Sequence, residues 1–382
     1  MERWMHGIRN ADEQAPLLAA AGFTTVVCSP DHARSVHDAG MDAWLCGSGF
    51  PLIRDDDAIR AVGVDGRPYT WFNSGSPCAT EVREASLEAY RRMARTEGVT
   101  GILVDGCRFA SPASGPEAFL TDFSDHAARR AEELGMDIEI MRRDLMRLRQ
   151  ALRALAGAER PCPARELHAH ATLPLARIME TLIDHPGVAE WLRFRRAHVT
   201  GHFRAIADIV HAAGLQCGAY VFTPSLAPLV GQNYEDLAGI MDVVSPMVYR
   251  AYPEEPGIAA LNHEVAALVA AATDHAAAPP ARTAESTPGR ASFVAALLDA
   301  LGYGGLAAEP APQSIRAGLG TAVVGIECAR AKAALGNGPR LVPIIQIDDP
   351  DLPAAEAEVA AAGCDACDYF VFTEEWRSLI GG

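Results

Sequence analysis

The chain has 382 residues, with 33 Lys or Arg against 49 Asp or Glu, so its formal net charge is −16. This acidic balance, without a basic stripe, disfavours nucleic acid and anionic membranes as partners. Hydrophobic residues make up 49% of the sequence, which is ample for a core, and no run of about 18 apolar residues predicts a membrane span.

The N-terminus and the cysteines favour a cytoplasmic protein. The opening MERWMHGIRNADE is polar and lacks the apolar centre of a secretion signal. The number of cysteines, nine, is odd. Several fall in strand-like runs, and we interpret them as small buried hydrophobic residues in a reducing compartment: Cys28, Cys46, Cys107 and Cys217. The number of subunits stays open, a homo-oligomer included.

Eight short apolar runs predict strands, and helix-like segments separate them. Several helical segments end in Gly directly before the next strand, which is a normal helix stop. The alternation predicts an α/β protein with a (β/α)8 TIM barrel; an open doubly wound sheet is the alternative. No G-x-G-x-x-G turn follows the first strand, which argues against a dinucleotide-binding version of that sheet. The predicted strands are RWMHGI (3–8), FTTVVCS (23–29), DAWLCGSGF (42–50), GILVDGCRF (101–109), QCGAYVFT (216–223), VVSPMVY (243–249), LVPIIQID (341–348) and DYFVFTEEW (368–376), and the helical segments include 15–22, 80–98, 199–214 and 352–363.

The chain is longer than a minimal barrel of roughly 250 residues. The surplus collects in residues 110–186, which contain a charged helical segment at 139–157, and in an Ala- and Pro-rich loop at 276–290. No repeat or linker marks a second domain. We therefore expect one barrel domain over 1–382 with elaborated loops, in which 110–186 forms a lid or rim after the fourth strand.

Several common chemistries lack their residues. Schiff-base and PLP enzymes need a lysine in the pocket, and the single lysine, Lys332, lies in a helix-like stretch. The one His-x-His pair, His168 and His170, falls inside the long insertion, and Cys364 with Cys367 forms one CxxC without a second pair. We expect neither a metal nor a cofactor.

The stretch GILVDGCRF predicts a catalytic carboxylate. Four residues suited to a buried strand run directly into Asp105, with Arg108 just beyond. A carboxylate at the tip of a buried strand carries a desolvation cost that a surface loop avoids, and in barrels this tip holds catalytic groups. A turn cap, or a structural pair with Arg108, is the alternative interpretation.

Other predicted strand ends carry acids, amides and aromatic residues, which together suit a sugar site. Glycosidic cleavage uses one acid to protonate the leaving oxygen and a second carboxylate to attack or to activate water. His6, alone at the end of the first strand, suits a substrate contact better than a metal site. The candidates for substrate binding are His6, Arg108, Tyr220, Gln232, Asn233, Tyr249, Gln346 and Trp376.

The segment WFNSGSPCATEVREASLEAYRRMARTEGVTGILVDGCRFASPASG (71–115) resembles bacterial glycoside-hydrolase-like TIM-barrel families, in which a "C-P" loop precedes a helix and a strand ending in "DGIRFPSP". Residues 189–206, 231–250 and 342–348 are also similar to that group. The resemblance implies a barrel with a carbohydrate-type cleft and matches Asp105 to the Asp that ends its fourth strand. Relatives often carry "CFCxxC" after this strand; this chain has FLTDFSDHA (119–127) and no thiol there.

The leading hypothesis is a glycoside-hydrolase-like enzyme for a small-molecule or oligosaccharide substrate. Asp105 would be its nucleophile or base, with Arg108 holding it ionised. Glu374, bracketed by aromatic residues, is the first candidate for the partner acid and Asp348 the second. The alternatives are a non-hydrolytic lyase or isomerase of a small hydroxylated metabolite, and a carbohydrate-binding protein without catalysis.

Overall fold

Eight parallel strands form the centre of the fold in the computed structural model, which describes residues 1–157, 183–253, 259–273, 295, 297–306 and 311–380. Each lies within or beside a predicted run, so the eight strands are confirmed. The seventh is interrupted and has two segments. In chain order they are β1 (Glu2–His6), β2 (Thr25–Val27), β3 (Asp42–Ser48), β4 (Val99–Asp105), β5 (Gln216–Val221), β6 (Val243–Pro246), β7 (Arg340–Leu341 and Ile344–Gln346) and β8 (Ala366–Phe370).

The strands close into a barrel in chain order. Each of β1 to β6 pairs with the next, and β8 pairs with β1. The first segment of β7 pairs with β6 and the second with β8, so the two edges of the sheet are two parts of one stretch of chain. A parallel bridge between Met247 and Ile344, and the hydrogen bond from Val248 N to Ile344 O at 3.1 Å, complete the ring. The predicted (β/α)8 barrel is confirmed.

Large aromatic side chains fill the part of the barrel that lies toward the N-terminal ends of its strands. The rings of Trp4 and Trp44 are almost fully buried, with centroids 5.1 Å apart. Gly101 on β4 makes room for them, because a Cβ there would lie 2.7 Å from the Trp44 ring. This packing closes one end of the barrel and leaves space at the other.

Helices surround the barrel, and the alternation of strand and helix is as predicted. The largest difference concerns the helix before β5, which begins at Pro186 rather than near 199, because the buried side chains Trp191, Phe194 and His198 extend its apolar face upstream. The α-helices in the described residues are Ala11–Ala20, Ala33–Asp38, Thr80–Met93, Pro116–Phe119, Asp125–Glu133, Ile138–Gly157, Pro186–Ala212, Tyr234–Ala238, Leu261–Thr273, Pro312–Ala317, Ala322–Leu335, Leu352–Ala361 and Trp376–Leu379. None that the structure describes is both long and apolar enough to cross a bilayer.

The described part of the predicted insertion packs against the outer layer of helices. Ile138–Gly157 lies along Pro186–Ala212, where the buried carboxylate of Asp144 accepts a hydrogen bond from Gly187 N at 2.9 Å. The guanidinium of Arg195 donates to backbone carbonyls of the segment after β4, including that of Thr121 at 2.7 Å. Residues 158–182 and the predicted loop 276–290 lie outside the described residues, as do His168 and His170. The lid role of 110–186 stays a prediction.

Candidate active site

A cavity of about 300 Å³ opens at the C-terminal ends of the barrel strands. The described side chains that line it come from β1, β3, β4, β5, β7 and β8 and from the segments after β3, β4 and β6. This is the end at which barrel enzymes hold their catalytic groups, and the volume suits a small molecule. The polar side chains in the lining are those of His6, Cys46, Asp105, Arg108, Tyr220 and Tyr249.

Asp105 is the only carboxylate among the described residues that line the cavity. It is the last residue of β4, and Gly106 follows at a φ of +62°, where glycine avoids the strain of a side chain. This turn holds the Gly106 N–H 2.7 Å from Asp105 Oδ1. Burial raises the pKa of the carboxyl, while the charge of Arg108 and the Gly106 hydrogen bond oppose that rise. The cavity lining therefore contains a desolvated carboxyl with a positive charge nearby.

Arg108 holds a positive charge beside Asp105 without pairing with it directly. The side chain is only 4% exposed, and its guanidinium lies 4.9 Å from the ring centroid of Phe222 and 5.9 Å from that of Phe72. In the part of the chain that the structure describes, its one hydrogen bond runs from Nη1 to Phe109 O at 3.3 Å. Stacking thus fixes the guanidinium and leaves donors for a ligand.

Tyr220 connects His6 and Asp368 in a hydrogen-bonded chain inside the barrel. Its hydroxyl oxygen lies 2.9 Å from Nδ1 of His6 and 2.6 Å from Oδ2 of Asp368. Since a phenol has one proton, Tyr220 donates to one neighbour and accepts from the other. Burial raises the pKa of Asp368 to about 7 and lowers that of His6 to about 4. Near neutrality, an uncharged imidazole therefore shares this chain with a carboxyl that is partly protonated.

Aromatic and aliphatic side chains complete the cavity wall. The Phe370 ring lies 5.3 Å from Tyr249 and 5.1 Å from His6, and Met247, Ala259 and Ile344 add apolar surface. Phe72 stands at the mouth and remains 44% exposed.

The backbone under Phe72 is strained. Phe72 and Asn73 adopt φ values of +47° and +51°, which residues other than glycine rarely do. Hydrogen bonds from Ser74 N to Trp71 O and from Leu52 N to Asn73 O, each 2.8 Å long, hold this turn. Strain of this kind concentrates at functional sites. The strained turn thus lowers the stability of the fold while it places the exposed Phe72 ring at the cavity mouth.

Five of the residues proposed from the sequence meet in this cavity. They are His6, Asp105, Arg108, Tyr220 and Tyr249, which come from four different strands or the segments that follow them.

Glu374 and Trp376 lie away from the described cavity lining. The Glu374 side chain is exposed and accepts a hydrogen bond from Gln14 Nε2 at 3.0 Å. Trp376 is buried in the core, where its ring meets that of Phe23 edge-on with centroids 5.6 Å apart. The physical reason is that β8 ends at Phe370, so both residues belong to the segment beyond the strand.

The amides and Asp348 also stand outside the described lining. Asp348 is exposed and accepts from Gln346 Nε2 at 2.7 Å. Gln232 joins two loops, because its side chain accepts from Phe222 N at 2.8 Å and donates to Cys107 O at 3.2 Å. Asn233 caps the helix Tyr234–Ala238 through a hydrogen bond from Asp236 N at 2.9 Å. These contacts organise the loops around the site.

Sequence reasoning did not single out Asp368, although it bonds a residue of the cavity wall. Its position within the apolar run DYFVF was the available signal, because an acid in a buried strand needs a partner. Strand alternation places Asp368 and Phe370 on one face, the face that points into the barrel. Within the described residues, no group of three or more His, Cys, Asp or Glu side chains is arranged to hold a metal ion.

Comparison with solved structures reveals likeness at low sequence identity. The catalytic domain of β-amylase from Paenibacillus polymyxa superposes with a TM-score of 0.51 at 11% identity, covering 97% of this chain and 92% of that one. β-Glucosidase 1317 covers 94% of this chain and 76% of its own with a TM-score of 0.40 at 10% identity. The family 2 AP endonuclease from Brucella melitensis covers 99% and 97% with a TM-score of 0.37 at 10% identity.

No protein-family model matches the sequence, and no curated protein does. The likeness to the β-amylase domain therefore concerns the fold, over nearly the whole length of both chains. It agrees with the barrel that the resemblance of residues 71–115 implies. This chain has the (β/α)8 barrel fold that is also found in the β-amylase catalytic domain.

Proposed function

We propose that this protein is a glycoside-hydrolase-like enzyme that cleaves a glycosidic or sugar-like bond in the cavity at the C-terminal ends of the strands. The observation that carries the proposal is Asp105, a desolvated carboxyl at the tip of β4 that faces a cavity of about 300 Å³. A carboxylate removed from water is a stronger base and nucleophile than one at the surface. Asp105 is the nucleophile or the base of this reaction.

The surroundings of Asp105 suit that role. Arg108 stabilises the ionised form through space and is held in place by the rings of Phe72 and Phe222. The positive charge also opposes the rise in the pKa of Asp105 that burial causes, which favours the ionised form that a base or nucleophile requires. Arg108 has further N–H donors for sugar hydroxyl groups.

The walls suit one or two sugar rings. Phe72, Tyr249 and Phe370 offer aromatic faces, on which the C–H groups of a sugar ring can pack. The volume of about 300 Å³ lies at the small end of ligand pockets, which favours a short substrate over a long polysaccharide.

A panel of aryl glycosides and short oligosaccharides tests the proposal. We expect one substrate to be cleaved by the wild-type protein and the rate to fall about 10²-fold or more in Asp105→Asn, since that variant retains the shape but not the base. Asp208→Asn is the matched control, because Asp208 is exposed on the outer helix Pro186–Ala212. If a folded Asp105→Asn protein cleaved the same substrate at the wild-type rate, Asp105 would not be catalytic.

A second candidate is a lyase or isomerase of a small hydroxylated metabolite. It is favoured by the single carboxylate in the described lining, since two-acid hydrolysis requires a second acid within reach. One carboxylate with His6 and Tyr220 is sufficient to move protons on a small substrate. The masses of the products separate the two functions: hydrolysis adds one water across the cleaved bond, an isomerase leaves the mass of the substrate unchanged, and a lyase gives fragments whose masses add up to that of the substrate.

A further inference from the structure

The chain formed by Asp368, Tyr220 and His6 has one end in the protein interior and one at the cavity. Asp368 has no exposed surface, and its Oδ1 is buried without a hydrogen-bond partner among the described residues. His6, at the other end, is partly exposed and lines the cavity. Its Nδ1 is engaged by Tyr220, whereas its Nε2 takes part in no hydrogen bond with the described residues.

We propose that Asp368, Tyr220 and His6 form a proton relay. Nε2–H of His6 is the general acid of the reaction, and the proton of Asp368 moves toward His6 through Tyr220 to replace the proton that His6 gives up. His6 is then the catalytic residue, because it faces the substrate. Tyr220 and Asp368 are positioning residues that act through it. The substrate step rests on the proposed function, whereas the relay itself is a property of the protein without substrate.

Three protons move along the relay, each to the next atom on the path from Asp368 to the leaving oxygen. The bond between the sugar carbon and the leaving oxygen breaks while a bond forms from that carbon to the oxygen of the attacking water, which gives a proton to Asp105. The leaving oxygen takes the proton from His6 Nε2. At the same time His6 Nδ1 takes the phenolic proton of Tyr220, and the Tyr220 oxygen takes the carboxyl proton of Asp368. His6 ends uncharged in its other tautomer, and Asp368 ends as a carboxylate. Asp105 then releases its proton to solvent. One proton from solvent enters at His6 Nε2, the transfers run back through Tyr220 to Asp368, and the starting state is restored.

Burial explains why a relay would be needed here. It lowers the pKa of His6 to about 4, so an imidazolium is scarce at neutral pH and His6 alone is a poor acid. It raises the pKa of Tyr220 above the ordinary value, which disfavours a free phenolate and requires the two transfers at Tyr220 to occur together. Only Asp368, with a pKa of about 7, both holds and releases a proton near neutrality.

Ionisation of Asp368 reverses the direction of both hydrogen bonds of the Tyr220 hydroxyl. With Asp368 protonated, its O–H donates to Tyr220, Tyr220 donates to Nδ1, and His6 carries its proton on Nε2. With Asp368 ionised, Tyr220 donates to the carboxylate, so Nδ1 must be the protonated nitrogen. Other titratable groups surround the chain, and burial keeps the thiols of Cys46 and Cys367 and the phenol of Tyr249 protonated. Arg108 stays charged, and Asp105 is the remaining group that changes charge.

The experiment follows the His6 tautomer by ¹⁵N NMR in the full-length protein from about pH 5 to about pH 9. It uses the Asp105→Asn background, so that Asp105 does not titrate. We expect His6 to change from the Nε2–H to the Nδ1–H tautomer with a midpoint near pH 7. The change should disappear in Tyr220→Phe, which cuts the chain. It should also disappear in Asp368→Asn, whose amide N–H donates to Tyr220 at every pH. Tyr249→Phe, which alters a cavity phenol outside the chain, is the control and should retain it.

One tautomer throughout the pH range in the Asp105→Asn protein with Asp368, Tyr220 and His6 intact would refute the relay, as would a change that survives Tyr220→Phe in a folded protein. Because these spectra need no substrate, they are independent of the proposed function. A tautomer change in a protein without glycosidase activity would support the relay and contradict the proposed glycosidic substrate. Glycosidase activity without the change would leave the function in place and assign the acid elsewhere.

Discussion

Tyr220 and His6 stand on β5 and β1, four strands apart in a ring of eight, and their polar atoms are 2.9 Å apart. The long Tyr220 side chain thus reaches across the barrel from one wall to the opposite one. On the same oxygen it meets Asp368 of β8 at 2.6 Å. Three distant parts of the sequence therefore share one short polar path beneath the cavity.

The stability of the protein should depend on pH through Asp368. The carboxyl ionises near pH 3.9 in the unfolded chain and at about pH 7 in the folded one, so the folded state retains its proton longer. The contribution of Asp368 to stability therefore falls as pH rises from about 4 to about 7 and is level above, with a difference of about 4 kcal/mol between the limits. Urea unfolding at about pH 5 and about pH 8 captures about 2.6 kcal/mol of this difference, because part of it is already lost at pH 5.

Asp368→Asn should lose most of that pH dependence while remaining folded. Asp105 and Glu264 also have raised pKa values, and burial lowers those of His6, His198 and His202, so both proteins share slopes of either sign from these groups. The difference between wild type and variant therefore isolates Asp368. Equal slopes in the two proteins would contradict a carboxyl that is protonated in the folded state at neutral pH.

Leaving groups distinguish the two proposed sources of the proton. With a poor leaving group, Asp368→Asn should lose about 10²-fold in kcat, because the leaving oxygen needs a proton; with an activated one, such as a nitrophenolate, it should lose much less. Glu374→Gln should change both rates by the same small factor, since that side chain bonds Gln14 away from the described lining. A selective loss on the poor leaving group in Glu374→Gln would return the acid role to Glu374.

Phe72 should contribute to binding and not to chemistry. Removal of its ring in Phe72→Ala should raise KM by about tenfold with little effect on kcat, which corresponds to about 1.4 kcal/mol of packing. The matched variant is Asn73→Gly. It relieves the neighbouring positive φ but gives the unfolded chain more freedom, so it should change the free energy of unfolding by less than about 1 kcal/mol, and it should leave KM unchanged. Michaelis constants and thermal unfolding of both variants test this; an unchanged KM in Phe72→Ala would exclude a binding role.

Trp376 was expected from the sequence to contact substrate, and its burial predicts a different result. Trp376→Ala should lower the free energy of unfolding by about 3–5 kcal/mol, because a large core side chain that packs on Phe23 is lost. The KM of the protein that remains folded should be unchanged. An increase in KM without a loss of stability would support the original hypothesis.

The predictable parts of this protein are those in which local pattern and fold agree. The apolar run before Asp105 predicts both a buried strand and an acid at its tip, and the structure has each. Glu374 was chosen on the assumption that the strand continues to 376. β8 ends at Phe370 instead, and Glu374 lies four residues beyond its end. A strand end is set by pairing with neighbours, which sequence alone does not contain.

Asp368 shows the opposite error. Within DYFVF it reads as one polar residue in an otherwise apolar strand, and its partner Tyr220 is 148 residues away in the sequence. No local sequence pattern predicts this contact, because closure of the barrel is what brings the inward side chains of β5 and β8 together. Alternation along β8 would have indicated that Asp368 and Phe370 point the same way. The identity of the group that Asp368 meets requires the three-dimensional fold.

The interruption of β7 has a consequence for how the barrel can fail. The two edges of the sheet are held together by hydrogen bonds and also by the covalent chain. Val342 and Pro343 connect the segment of β7 that pairs with β6 to the segment that pairs with β8. Leu341 and Ile344 cannot separate by more than about 10 Å, even with the peptide fully extended. A break in the hydrogen bonds at this point would therefore leave only a narrow gap, too short to expose a free edge for pairing with another molecule.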